Sequence, residues 1–299
     1  MNESILFSVI VPTYNRADII QNTIKSLLEQ SYKNFEIIVV DDGSTDNTAD
    51  VIRSIADPRI KYFAKENAER GAARNYGVTK AAGAYINYFD SDDLAYPNHL
   101  QTAFEVLNRD QLPEMMHLGY DYRTEDGKLI KKVNRFDGNS VKYVVQKKMV
   151  STMSIFIRKD IAELFPFEEH RDFVMGEDAL HLCRLVARYN FFYDNTITST
   201  VIVHKNRSMS NTDETKLLFC KDYLDAELKK DDIFMKNYGK YLSQISNEYD
   251  YLIWNNSLDN HDNKTAWKYF KYYIKGKTQN IISTRTIVFF KKYIANLFA

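Results

Sequence analysis

The chain has 299 residues, 44% apolar and 27% charged, an ordinary composition for a globular protein with room for one large domain or two moderate ones. Lys and Arg number 40, as do Asp and Glu, so the formal net charge is zero and no bulk charge recruits nucleic acid. Cys183 and Cys220 form neither a CxxC pair nor a metal-ligand cluster, the start lacks a basic secretion leader, and no run of about 18 apolar residues occurs, so a cytoplasmic protein without a membrane span is expected.

Ile5 to Val11 is an apolar, β-branched run stopped by Pro12, which predicts a buried strand. Ile20, Ile24, Leu27 and Leu28 recur at helical spacing. Phe35 to Val40 is a second buried strand, ended by Asp41-Asp42-Gly43-Ser44. A helix is expected around Thr48 to Ile55, a strand at Ile60 to Phe63, a helix from Gly71 to Lys80 and a strand from Tyr85 to Phe89. From Gln111 to Thr212 the pattern is mixed. There, Val150 to Ile157 and Thr196 to Val203 read as strands, and Asp178 to Arg188 as a helix. After Glu214 the chain reads as all helical, so residues 1–213 and 214–299 are expected to form a mixed α/β domain and a helical extension.

Strands alternating with helices imply an α/β fold with a mainly parallel sheet covered on both faces. Ligands of such sheets sit beyond the carboxyl ends of the strands. The polar clusters fall at those ends: Thr13-Tyr14-Asn15, Asp41-Asp42, and Asp90-Ser91-Asp92-Asp93. Crowded carboxylates repel each other unless a cation holds them, and a divalent ion does so well. A turn or helix cap is the competing reading of Asp90-Ser91-Asp92 taken alone. A carboxylate at Asp42 could accept bonds from a base or ribose, and Tyr14 could stack on a base. Gly71-Ala72-Ala73-Arg74-Asn75 offers small residues and one cation where a helix begins, which suits a phosphate or close helix packing.

In this order, Ser8 to Arg16, Val40 to Asp46, Gly71 to Asn75 and Asp90 to Asp93 resemble the motifs of family 2 inverting glycosyltransferases with the GT-A fold. The resemblance covers the first two thirds of the chain and is strongest before Tyr96. It implies a nucleotide-sugar donor, with UDP favoured, held by Pro12, Thr13, Tyr14, Asn15, Asp41, Asp42, Arg74, Asn75 and Ser91. It implies Mn2+ or Mg2+ as cofactor. Asp90 and Asp92 match the DxD, Asp92 being the more direct ligand, and His204 in Val203-His204-Lys205-Asn206-Arg207-Ser208 matches a late histidine that can complete the metal shell. Gly176-Glu177-Asp178 resembles the family's acidic motif, with Asp178 as catalytic base; Glu177 and Met153 would face the donor or acceptor. Without the family, Glu177 and Asp178 read as carboxylates of a helix's first turn. The acceptor implied is a glycan or lipid-linked oligosaccharide of a bacterial surface polysaccharide.

A sugar nucleotidyltransferase would need a Gly-rich, basic loop after the first strand, and a hydride-transfer enzyme would need GxGxxG there. Pro12-Thr13-Tyr14-Asn15 supplies neither. An inactive nucleotide-sugar-binding scaffold is the alternative from another class, and the intact acidic sites argue against it. The stretch 264–299 holds eight cations and no Asp or Glu, with Lys264, Lys268, Lys271 and Lys275 on one helical face beside Trp267, Phe270, Tyr272 and Ile274. Two readings stay open: a helix lying on an anionic membrane, at the inner face of the cell membrane, or a helix packed on the catalytic domain.

Overall fold

The computed structural model describes residues 4–109, 112–136, 144, 151–204, 214–275 and 283–297. The expected alternation opens the chain: β1 (Phe7–Thr13), α1 (Ile20–Leu28), β2 (Phe35–Asp41), α2 (Thr48–Arg53), β3 (Ile60–Ala64), α3 (Glu69–Lys80) and β4 (Tyr85–Tyr88). Then follow β5 (Leu94–Ala95), α4 (His99–Arg109), β6 (Met115–Thr124), β7 (Leu129–Val133), β8 (Ile155–Arg158), α5 (Lys159–Leu164), α6 (Glu177–Val186) and β9 (Phe191–Val203). The rest is helical: α7 (Glu214–Lys230), α8 (Asp232–Tyr238), α9 (Leu242–Asp259), α10 (Asn263–Lys275) and α11 (Thr284–Leu297).

The strands form one sheet in the order β3-β2-β1-β4-β8-β6-β9-β5, with β7 paired to β6. β1, β2, β3 and β4 are parallel, and β6 and β9 are parallel; β4–β8, β6–β8, β5–β9 and β6–β7 are antiparallel. The sheet is mixed, with its longer ladders parallel as expected, and the parallel run β3-β2-β1-β4 is the part the sequence announces. β1 lies between β2 and β4, so the chain leaves β1 in one direction and later returns on its other side. That reversal opens a crevice at the carboxyl edge.

Alternation along β1 divides the core. Phe7, Val9 and Val11 face the layer of α1 and α4, where Ile20, Ile24, Leu27, Leu100, Ala103 and Leu107 are buried. Ile10 faces the other layer with Ile38 and Val40. That second cluster runs on through Leu180 and Leu185 of α6 to Leu217, Trp254, Phe270 and Phe289 of the C-terminal helices. α7 is also fastened to α6 by the ion pair of Arg184 and Glu227 at 3.0 Å, and Arg188, just past α6, meets Asp231, just past α7, at 2.7 Å.

The single strand expected over Val150 to Ile157 is replaced. Met149 and Val150 lie outside the described residues, Thr152–Ser154 form a 3₁₀ turn and β8 begins at Ile155. The buried amide of Asn87 on β4 donates to the carbonyls of Met153 (2.8 Å) and Ile155 (2.9 Å), so a side chain takes the carbonyl bonds a strand neighbour would take.

Candidate active site

At the crevice lies an open cavity of about 810 Å³. Pro12, Thr13 and Tyr14 after β1, Asp42 after β2, and Asp90, Ser91 and Asp92 after β4 line it. Ser151, Thr152, Asp178 and, from α7, Lys216 add to the wall, together with Arg16 and Arg70.

Backbone and side-chain bonds between loops build one side. Asn15 has φ 50°, the left-handed region that Asn tolerates better than most residues. Its N–H donates to Ser44 Oγ (2.9 Å) and its Oδ1 accepts from the Thr45 N–H (2.8 Å). Asp41 accepts from the Ser44 N–H (2.8 Å) and the Tyr62 hydroxyl (2.7 Å). Gly43 has φ +82°, which completes this turn where a side chain would be strained. Asn15 and Asp41 do not line the cavity; they brace the loops that do. Asp42 lines it, its Oδ1 accepting from Lys65 Nζ (2.7 Å) and the Ala68 N–H (3.0 Å). Tyr14, 47% exposed, leaves much of its ring uncovered.

An ion cluster builds the other side. Arg74 on α3 is fully buried. Its Nη1 donates to Asp178 Oδ1 (2.5 Å), its Nη2 donates to Asp90 Oδ1 (2.9 Å), and Glu177 Oε1 is 3.7 Å from Nη1. The guanidinium packs over Phe167, 4.9 Å from the ring centroid. Arg70, one turn earlier, lies 2.6 Å from Glu177 and also donates to the Val174 carbonyl. Burial opposes the Arg74 charge, yet Asp178, Asp90 and Glu177 outweigh it and hold the guanidinium above its ordinary value. Burial likewise raises the Glu177 carboxyl above the usual range, against the pull of Arg70 and Arg74.

This geometry moves several residues from their expected places. Arg74 lies beneath the cavity rather than against a donor, and it joins the DxD to the candidate base. Glu177 is buried under Asp178. Asn75 turns away: its amide donates to the Phe167 carbonyl (2.9 Å) and accepts from the Phe167 N–H (2.8 Å), and it lines a separate cleft. Met153 is fully buried, and its neighbours Ser151 and Thr152 face the cavity instead. His181, one turn into α6, is buried with its ring stacked on Phe167 at 3.9 Å.

Asp92 and His204 meet across 112 positions of sequence, with His204 Nε2 3.1 Å from Asp92 Oδ2. Arg16 Nη2 is 3.9 Å from the same oxygen. Asp93 explains the meeting. Its Oδ1 accepts from the Ile202 N–H (3.0 Å), and the Thr23 hydroxyl sits 2.9 Å from its carbonyl, so the end of β9 is tied to the loop after β4. Lys205 to Ser208 lie outside the described residues. Among the described residues no three His, Cys, Asp or Glu side chains converge as a complete metal-binding group. The pair Asp92 and His204 is nonetheless a hard oxygen beside an imidazole nitrogen, a donor set that suits Mn2+ better than Mg2+ when substrate phosphates and water supply the rest. Asp90 is engaged by Arg74.

Sequence reasoning gave no role to Asp93 and Arg16, though both fall within the motifs, singled out Met153 rather than its neighbours Ser151 and Thr152, and passed over Lys65, Arg70 and Lys216. Of those last three, Arg70 alone carried a readable signal, four residues before Arg74 on the same helical face.

The model of glycosyl transferase family 2 matches residues 8–165, more than half the chain. A Haemophilus influenzae protein described as an uncharacterized glycosyltransferase is 31% identical over 211 residues, covering 69% of this chain and 82% of that relative. The chain belongs to glycosyl transferase family 2. A second relative, uncharacterized glycosyltransferase RC0461 of Rickettsia conorii, is 41% identical over 142 residues; the match covers 46% of this chain but only 23% of that longer protein. Among solved structures, residues 1–349 of S. aureus TarS in complex with UDP-GlcNAc superpose with a TM-score of 0.65 at 19% identity, covering 92% of this chain and 80% of that one. The mannosyltransferase PcManGT of Pyrobaculum calidifontis, in complex with GDP-Man and Mn2+, superposes with a TM-score of 0.60 at 16% identity, covering 99% and 87%. These likenesses carry the fold: GT-A, with a helical C-terminal region.

Proposed function

We propose that the chain is a metal-assisted, inverting glycosyltransferase. It takes a sugar from a nucleotide-sugar, a UDP-sugar by preference, and delivers it to a hydroxyl of a glycan or lipid-linked acceptor in surface-polysaccharide synthesis. One observation carries this reading. Arg74 bonds at once to Asp90 of the DxD and to Asp178, so the donor-side acid and the candidate base share one cavity although 88 positions separate them in sequence.

Asp42 and Tyr14 hold the nucleoside, Asp42 accepting a hydrogen bond from base or ribose and Tyr14 stacking. Asp92 and His204 hold the divalent cation, which when bound neutralises charge that develops on the departing diphosphate. Asp178 takes the proton of the acceptor hydroxyl. The freed oxygen attacks the anomeric carbon from the face opposite the diphosphate. The bond from that carbon to the diphosphate oxygen breaks, and the configuration inverts through an oxocarbenium-like transition state. Arg74 fixes Asp178 by one oxygen and leaves the other to the acceptor. The PcManGT complex with Mn2+ supports the metal reading for the fold.

Asp178→Asn tests the assignment. Nucleotide-sugars are screened by thermal shift with Mn2+, then the best donor is used for transfer. The variant should still be stabilised by donor while turnover falls by about 10²- to 10⁴-fold. Near-normal turnover would eliminate Asp178 as the base.

A further inference from the structure

We infer that α10 and α11 form a docking surface for an anionic lipid bilayer. On α11, Ile287, Phe290, Ile294 and Leu297 follow one another at steps of three and four residues and are 42% to 59% exposed. They make an apolar stripe along one helical face. The opposite face, through Phe289, is buried and stacks on Phe270 of α10 at 3.7 Å between centroids, so the stripe is presented on a fixed base.

The stripe borders the basic face of α10. Phe290 touches Trp267 edge to face, with centroids 6.3 Å apart, and Lys271 Nζ stands 5.7 Å from the centre of that Trp267 ring. Lys264, Lys268, Lys271 and Lys275 share the face of α10, and Lys291 sits within the stripe; all five are exposed. Among the described residues none of them forms a close ion pair, although Lys264 lies near enough to Asp262 to favour its charged form. Two other described cations of this region pair with acids of α9: Arg285 meets Glu248 at 2.9 Å and Lys292 meets Asp259 at 2.6 Å.

Charge selects the occupant. A second copy seated isologously would set these lysines against themselves, since the sequence from Asn263 to Leu297 holds no Asp or Glu. An anionic bilayer meets both features: the apolar side chains enter the acyl boundary and the ammonium groups reach the headgroups along their stems. No described helix is long and apolar enough to cross a membrane, so the contact is one of lying on the surface.

Flotation of the full chain with vesicles of phosphatidylcholine, alone or mixed with phosphatidylglycerol, tests this. The chain should float with the mixed vesicles and stay below with pure phosphatidylcholine. Replacing Ile287→Ser, Phe290→Ser, Ile294→Ser and Leu297→Ser together should abolish flotation while the circular dichroism spectrum and melting temperature are kept. Replacing Lys264→Glu, Lys268→Glu, Lys271→Glu and Lys275→Glu together should lower partitioning by more than about a hundredfold. Absence of flotation with either vesicle overturns the inference, as does equal flotation with both. Undiminished flotation of the glutamate variant also overturns it, even if the serine variant fails to fold. A parent dimer that the serine variant converts to monomer, without flotation, would assign the stripe to a second copy instead.

Discussion

The two sides of the cavity are held in place by different means. On the nucleotide side, loops after β1 and β2 are locked mostly by neutral or single-charge bonds, Asn15 to Ser44 and Thr45 and Asp41 to Ser44 and Tyr62, with one ion pair, Asp42 to Lys65. On the base side, Asp178 is reached across 104 positions by one buried guanidinium that also holds Asp90. The sheet places the first side. Charge places the second, in a setting where each member of the cluster is costly without the others. Disturbance of the first should therefore weaken donor binding, and disturbance of the second should strike folding and turnover together.

Arg74→Met is expected to have the largest effect. It removes the cation that Asp90 and Asp178 share at the cavity and leaves Glu177 with Arg70 alone; because Asp90 and Asp178 reach water, the cost falls below the roughly 3–5 kcal/mol of breaking a fully buried pair. A lowered urea midpoint would register this. Arg74→Lys separates positioning from folding. It keeps the charge but cannot present a planar fork to two carboxylates. It should fold, retain the donor KM, and lose kcat. A wild-type kcat in Arg74→Lys would break the comparison, because charge alone would then suffice.

Acid should act next. Burial depresses His99, His117 and His181 to about 3 from an ordinary 6.5. Between those values the unfolded chain binds protons that the folded chain refuses, so stability is full above pH 6.5 and falls as pH drops toward 3. Each imidazole contributes about 1.4 kcal/mol per pH unit in that window. Glu177, raised by burial, works in the opposite direction, because its folded form takes up a proton first. His181 belongs to the base side, stacked on the same Phe167 that Arg74 covers. His181→Phe should keep that stack and reduce the pH slope of the urea-derived stability by one imidazole. An unchanged slope would mean that His181 is already charged in the folded state.

The same contrast governs what could be read in advance. The strands of the parallel half declare themselves as apolar runs ended by Pro12, Asp41 and Asp90, and the ligand edge follows from their order. Asp92, Asp42 and Tyr14 line the cavity. Arg74 and Asn75 went elsewhere for a steric reason. A Cβ on Gly71 would lie 2.4 Å from the Glu168 carbonyl oxygen, so the small residues opening α3 seat the helix on the segment Phe167–Glu168 rather than beside a phosphate. No local pattern announces that contact, since its two halves are almost a hundred positions apart. Met153 followed the same logic: the Asn87 amide, donating to the carbonyls of Met153 and Ile155, stands beside a turn where a strand was expected, and Ser151 and Thr152 line the cavity instead.

The smallest effect is expected at Tyr14, and it tests whether the two sides are independent. The residue is 47% exposed at the cavity wall, so removing its ring disturbs little of the core. Stacking of a base on an aromatic ring is worth about 1–3 kcal/mol. Tyr14→Ala should therefore weaken donor binding, measured calorimetrically with UDP-sugar and Mn2+, by roughly tenfold or somewhat more. Tyr14→Phe should restore most of it, because the ring and not the hydroxyl does the stacking. At saturating donor, kcat of Tyr14→Ala should match the parent. A fall in kcat with unchanged affinity would show that the nucleotide side transmits its geometry to Asp178, and the division between a side placed by the sheet and a side placed by charge would have to be given up.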